Sequence, residues 1–492
     1  ESSSSVRLSM PGEWLVLAGV VLAAYPTADW LLTSRYQKRN RLLTVLLSIA
    51  ISPGCITLIM MWESFAGIKY DFISVTAVYL ALMTAGGVMW WRSRLSRTGG
   101  EPNRLSRGEW FLAGVMVCVS GAILFNAAYW PFYEADAVGI YNNFGHYMYI
   151  ERSFISLHIP DYSNYQAYPM MIPLTYTYSY LAGGWENAYL AKTVSAVLSL
   201  GCVGAAGILG NQLYGRRAGW MAAILLVLTP ALVRWASSGY TDLPMAFYYT
   251  MAAVFGWRTR ETGQIKDAAL AGIMLGLAAW TKNAALTGVA LYGGWLVVMV
   301  VLRAIKLRQA LVVIAACALV GAPWYIRNLL ELGLLVPATA WTEQAERTFS
   351  SLLVFITKPE NFALTGWAVM IGGGYWIIRI IWQRERWQET LLVCCLTLPF
   401  FGVWWLLVSY DPRFLLLFLP ILAVMAGGWL AQMWDRLQPA YQERMRLPLM
   451  LGAVVMGLYM AWIAVSFKQD ILRNPLMGES EKLAIVSESQ GE

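Results

Sequence analysis

The sequence predicts an all-α polytopic membrane protein with about 14 transmembrane helices, and three observations carry that prediction. Charged residues make up only 13% of the 492 residues while 58% are hydrophobic, against about 25% charged in soluble domains. Apolar runs of about 17 to 25 residues, the length that crosses roughly 30 Å of hydrocarbon, recur along the chain. Lys and Arg collect in alternate connections, as cytoplasmic loops require.

The runs are read as helices because only a helix satisfies its backbone within one membrane segment. Spans fall near 13–33, 42–62 and 71–91, and form an N-terminal extension over 1–107. A core over 108–433 follows, with spans near 109–129, 188–209, 217–236, 243–258, 267–281, 284–303, 309–326, 361–382, 389–409 and 414–433. The segment 434–492 adds a final span near 447–467 and a tail.

Most of the 36 basic residues lie in short loops of one parity, such as Arg92 to Arg107, Arg216 and Arg217, and Arg303 to Arg308. Those loops are read as cytoplasmic, which places both termini and the two long loops, 131–187 and 327–360, outside. The net charge of +7 then belongs to membrane topology. Nucleic acid is excluded as a partner, since no basic stripe alternates with base-stacking aromatics. No inside loop can hold a nucleotide-sugar domain, and no Gly-rich phosphate motif follows a strand. The six cysteines lie in apolar runs without metal-ligand spacing.

Loop 131–187 holds both histidines, His146 and His158, and ten of the 26 tyrosines. Tyr147, Ile150, Phe154 and Leu157 share one helical face, which predicts an amphipathic helix on the membrane surface. Most of the tyrosines read as an interfacial aromatic belt. Charges also mark the outer ends of spans: Glu134 and Asp136, Asp242, Lys282, Arg327, then Asp411 and Arg413. Singly, Asp136 reads as a helix cap, Lys282 or Arg327 as a snorkelling cation, and Asp411 as a partner of Arg413. Collected on one face, they point to a shared site.

The order of these features resembles the GT-C superfamily of integral-membrane glycosyltransferases, on the branch with protein mannosyltransferases and the lipid A aminoarabinose transferase. The matching pieces are YEADAVGIYNN with Glu134 and Asp136, and the Tyr168-Pro169 pair that closes the first outer loop. LYGRRAGWMAAILLVLTP from Leu213 to Pro230 follows, then Tyr240, Thr241, Asp242 and Pro244. LGLAAWTKN, PWYIRN and YDPRFLLLFLP complete the order, with Lys282, Arg327 and Arg413. Two departures stand out: the first three spans lie outside the family's usual core, and Ala135 separates acids that are usually adjacent.

The resemblance implies inverting transfer of a sugar from a polyprenyl-phosphate donor to a lipid, glycan or protein acceptor on the non-cytoplasmic face. It implies a prokaryotic plasma-membrane enzyme that needs no cofactor. Asp136 is favoured as general base because it keeps the spacing to Tyr141, with Glu134 assisting. Lys282, Arg327, Arg413 and His146 are candidates for the donor phosphate, and Asp242, Tyr240 and Tyr141 for positioning substrate. A divalent cation held by Glu134, Asp136 and Asp242 is the less favoured alternative. The expected partners are membrane lipids, the polyprenyl-phosphate sugar, an acceptor, and other membrane proteins docked on the first three helices. A non-catalytic subunit retaining the fold and a transporter compete; against the latter, no internal repeat is found.

Overall fold

The computed structural model describes residues 11–32, 40–94, 104–154, 165–336, 343–465 and 477–490. The chain begins with α1 (Pro11–Leu31), α2 (Arg41–Phe65), α3 (Phe72–Arg94) and α4 (Arg107–Tyr129). A π-type turn, Ala137–Asn142, leads into α5 (Asn143–Glu151), and α6 (Met171–Gly183) completes the first long connection. Then come α7 (Ala188–Tyr214), α8 (Arg216–Val227), α9 (Pro230–Ala236), α10 (Asp242–Thr262), α11 (Ile265–Thr281), α12 (Ala285–Val301) and α13 (Leu307–Leu332). Two single turns, α14 (Phe349–Leu352) and α15 (Val354–Thr357), precede α16 (Pro359–Gln383) and α17 (Trp387–Leu407). A 3₁₀ turn, Pro412–Leu417, enters α18 (Leu419–Arg436), followed by α19 (Pro439–Val465) and α20 (Glu479–Gln490).

Every predicted span coincides with a helix, although fewer than 14 pass as complete membrane crossings. Among the described residues nine helices are long and apolar enough to cross a membrane, and the bent pair α8–α9 makes a tenth. That pair bends by 67° because Pro230 at the start of α9 cannot continue the ladder of α8. At the break Leu225 O accepts from Thr229 Oγ1 and from Thr365 Oγ1, each at 2.8 Å. The predicted surface helix is also shorter than its apolar face suggested. It ends at Glu151, where Arg152 takes a left-handed φ of 59°, and Leu157 lies outside the described residues.

The largest correction concerns the tyrosines of the first long loop. Residues 171–181 form the buried body of α6 rather than an interfacial belt. Burial is tolerated because each phenol finds a partner: Tyr176 donates to Gly239 O at 2.6 Å, Tyr178 pairs with Thr76 at 2.9 Å, and Tyr180 donates to Asn142 Oδ1 at 2.5 Å. Those partners, with the 2.9 Å bond from Thr281 Oγ1 to Met171 Sδ and those from Trp185 Nε1 and Asn187 Nδ2 to Glu13, lay α6 across one end of the bundle.

Close helix approach elsewhere depends on small residues. Gly272 and Gly276 face α13, where a Cβ on Gly276 would lie 2.8 Å from Cys317 O. The first three helices join the core through α2. Tyr248 of α10 donates to Ala50 O at 3.0 Å, and Trp280 of α11 donates to Thr57 Oγ1 at 3.3 Å.

The basic loops gather at the opposite end from α6. Arg216 pairs with Glu109 and Arg217 with Asp435, while Arg386 Nη1 donates to Leu213 O at 2.7 Å. A cleft of about 510 Å³ opens there between Arg260 and Glu389, remote from every candidate site residue. The shared parity of these loops, read from charge alone, is therefore realised in their packing.

Candidate active site

Four chain segments bring the predicted charges together. The first is the turn after α4, where Pro131 to Asp136 leave the helix and enter the π-type turn. The second is the bend before α10, made possible by Gly239 at φ +84°. A Cβ there would lie 2.6 Å from the Phe132 ring, so only glycine fits. Tyr240 follows, fixed by Ser195 Oγ on its carbonyl at 3.2 Å and by stacking on Trp235 at 5.3 Å. Asp242 then opens α10.

The third segment is the end of α11, where Lys282 turns extended at φ −156° and points inward. Tyr325 of α13 braces this turn by donating to Ala279 O at 2.9 Å and Asn283 Oδ1 at 3.2 Å. The fourth is the 3₁₀ turn before α18. Asp411 caps it by accepting the Arg413 backbone N–H at 2.8 Å.

These segments interlock through ionic and phenolic contacts. Lys282 Nζ donates to Asp242 Oδ1 at 2.6 Å, with side-chain exposures of 17% and 3%. Arg413 Nη1 donates to Asp136 Oδ2 at 3.2 Å, and its Nε lies 3.3 Å from Asp411 Oδ2. That second approach is an ion pair without hydrogen-bond alignment, so Arg413 Nε remains a buried donor with no hydrogen-bond partner. The guanidinium also lies over the Tyr240 ring at 4.5 Å, and Lys282 shares the Phe414 face at 4.8 Å. The Asp136 backbone N–H donates to Tyr240 OH at 3.2 Å, while Thr241 Oγ1 donates to Tyr141 OH at 3.1 Å.

Burial works against the Arg413 charge, yet Asp242, Asp411 and Asp136 outweigh it and raise its pKa. Lys282 is shifted the other way: burial lowers its pKa, and Asp242 only partly restores it. Burial raises the Glu134 carboxyl above its ordinary 4.5, with Arg413 opposing. The site therefore holds one strongly fixed cation, one weakened cation and, at its edge, a carboxyl whose pKa burial raises.

Asp136, Asp242, Tyr240, Tyr141, Lys282 and Arg413 thus form one network, with Glu134 at its edge. Arg327 and His146 have other partners. Arg327 Nε meets Glu331 at 2.6 Å and its Nη1 donates to Gln166 O at 3.3 Å, and His146 Nδ1 pairs with Glu186 at 2.7 Å. The alternative metal set is not assembled either. Among the described residues no three His, Cys, Asp or Glu side chains converge as ligands, because Asp242 turns to Lys282 and Asp136 to Arg413.

Two neighbours of the network escaped the sequence reading. Arg234 carried no distinguishing pattern. Lys192, fully buried on α7, donates to Pro131 O at 3.0 Å and lies over the Tyr133 ring at 4.6 Å. A lone lysine inside an apolar run was its available signal.

Helix content and order are those of a polytopic all-α membrane protein whose fold is similar to solved GT-C structures. Residues 169–326 match the family described as dolichyl-phosphate-mannose-protein mannosyltransferase. No curated protein sequence matches the chain. Among solved structures it is similar to ArnT from Cupriavidus metallidurans bound to undecaprenyl phosphate, with a TM-score of 0.52 at 17% identity over 78% of this chain and 75% of that one. The apo state of the same protein gives a TM-score of 0.52 at 17% identity over 77% and 74%. An oligosaccharyltransferase of Archaeoglobus fulgidus, in complex with zinc and sulfate, gives 0.49 at 15% identity over 76% and 57%.

Proposed function

We propose that the chain is a glycosyltransferase that moves a sugar from a polyprenyl-phosphate donor to a nucleophilic acceptor at the non-cytoplasmic membrane face. The observation that carries this reading is the Asp136–Arg413 contact, in which a half-exposed carboxylate faces a buried guanidinium with an unpartnered Nε. A proton acceptor and an anion receptor are thus held side by side. The matched family and the undecaprenyl phosphate bound by the similar ArnT both fit a lipid-phosphate donor.

Asp136 is the group that takes the acceptor proton as the acceptor oxygen or nitrogen bonds to the anomeric carbon. The bond from that carbon to the phosphate oxygen breaks, and its electrons leave with the polyprenyl phosphate. Attack opposite the leaving group inverts the anomeric centre. Arg413 and Lys282 meet the growing phosphate charge, the first through its fork and the second as a point charge. The phosphate would draw Arg413 from Asp411, which already lies off-line. Tyr240 holds the Asp136 backbone and lies beneath Arg413, so it sets the distance between base and cation. Arg327 and His146, engaged with Glu331 and Glu186, would contact the donor only by exchanging those partners.

The reading is tested with purified protein and a synthetic undecaprenyl-phosphate sugar, following release of undecaprenyl phosphate. Asp136→Asn should leave donor binding intact and reduce turnover by about 10² to 10⁴. Normal turnover in both Asp136→Asn and Glu134→Gln would defeat the mechanism.

A further inference from the structure

A second polar recess adjoins the acidic turn, and Lys282 does not line it. It encloses about 330 Å³, with Asn126, Glu134, Arg234 and Ser237 on one wall and Tyr459 and Trp462 of α19 on the other. Its floor is already satisfied: Asn126 Nδ2 donates to Ala464 O at 2.8 Å, and Tyr133 OH donates to Asn126 Oδ1 at 3.4 Å. Its charges are not. Among the described residues neither the Glu134 carboxyl nor the Arg234 guanidinium has a side-chain hydrogen bond or ion pair, although both line the same space.

The outer wall is a membrane span. Only 17% of the apolar window of α19 is buried, and Tyr459 and Trp462 are 55% and 45% exposed. The recess is therefore bordered by lipid, and an occupant can enter sideways from the bilayer. Its charge pattern discriminates among occupants. One acid and one base at its polar end favour a headgroup carrying both signs, whereas a purely anionic lipid would meet Glu134 unfavourably. Neither Lys282 nor Arg413 lines this recess, so a polyprenyl phosphate has the better electrostatic match at their own site.

We propose that this groove is a lipid-binding subsite for an aminoalkyl phospholipid, with its ammonium on Glu134, its phosphate on Arg234 and its chains along Tyr459 and Trp462. Only the groove's further role as the acceptor's entry rests on the glycosyltransferase reading. The binding itself does not.

The test is native mass spectrometry of the full chain in detergent with an equimolar mixture of phosphatidylethanolamine and phosphatidylglycerol. Phosphatidylethanolamine should be retained preferentially, and Arg234→Gln should reduce its retention about tenfold, as expected for one charged hydrogen bond. Trp462→Ala should reduce retention of the same lipid. Both positions are solvent- or lipid-facing, so these variants should fold, which thermal unfolding checks. Equal retention of the two lipids, or unchanged retention in both variants, would overturn the assignment. Displacement by soluble phosphoethanolamine would also overturn it by assigning the groove to a free headgroup. Because the readout is binding, failed sugar transfer would count against the enzyme reading and leave this one standing.

Discussion

Lys282→Gln separates two roles of one ammonium. With Nζ 2.6 Å from Asp242 Oδ1, the gross attraction is about 6 kcal/mol at an effective dielectric near 20. Desolvation of both ions offsets much of it, but removing one partner leaves the other charge stranded, which typically costs about 3–5 kcal/mol. The sequence alone makes Lys282 a donor-phosphate candidate or, taken singly, a snorkelling cation; its burial adds that losing it should measurably destabilise the protein. A double-mutant cycle with Asp242→Asn resolves the pair, read by thermal unfolding in detergent and by undecaprenyl-phosphate binding. Each single variant should unfold more easily, and the double variant should lose clearly less than the two combined. Asp242→Asn should retain donor affinity, while Lys282→Gln and the double variant should lose it. Strict additivity of the stability losses would refute the buried pair, and unchanged donor affinity in Lys282→Gln would remove Lys282 from the phosphate site.

Further outcomes follow from neighbouring contacts. Arg413→Gln should weaken donor binding by about tenfold or more, since it removes the guanidinium fork and leaves Asp136 and Asp411 facing one another; isothermal titration with undecaprenyl phosphate checks this. The lowered pKa of Lys282 predicts that donor affinity falls as pH rises toward, but short of, its ordinary 10.5, and that Lys282→Arg removes this alkaline limb. Glu134, raised above 4.5 by burial, binds its proton more readily folded than unfolded. It should therefore cost stability as pH rises through that window, and unfolding of Glu134→Gln across mildly acidic pH should lack the trend. Gly276→Leu should destabilise by about 1–3 kcal/mol through overpacking against α13, which the unfolding midpoint reports.

Legibility in the sequence followed the physics of each signal. Membrane helices were readable because hydrocarbon demands long apolar runs; α10 and α11 also emerged close to their limits as helices, although neither is among the nine long and apolar enough to cross. The convergence of Asp136, Asp242, Lys282 and Arg413 followed from counting span ends, since alternate ends must meet at one face. Loop charges near spans do not reveal partners, however. Arg327 and His146 looked equivalent to Arg413 until Glu331 and Glu186 were seen beside them. The tyrosines of α6 misled for a related reason: an aromatic run can serve a wet interface or a dry core, and only the acceptors at Gly239, Thr76 and Asn142 distinguish these. Arg234 matters through three-dimensional neighbours alone.

The crosswise placement of α6 bears on how the protein is assembled. Thirteen residues are too few to cross a bilayer, so this helix cannot be laid down as an independent span. Its phenols find partners only after α3, the turn before α10 and the π-type turn have gathered at one face. The beam over the turn that follows α4 is thus set late, and one of its supports, Thr76, belongs to α3. The first three helices therefore act as an abutment for the first long loop. A chain split between α3 and α4 should regain donor binding when both pieces are co-expressed, and the 107–492 piece alone should not.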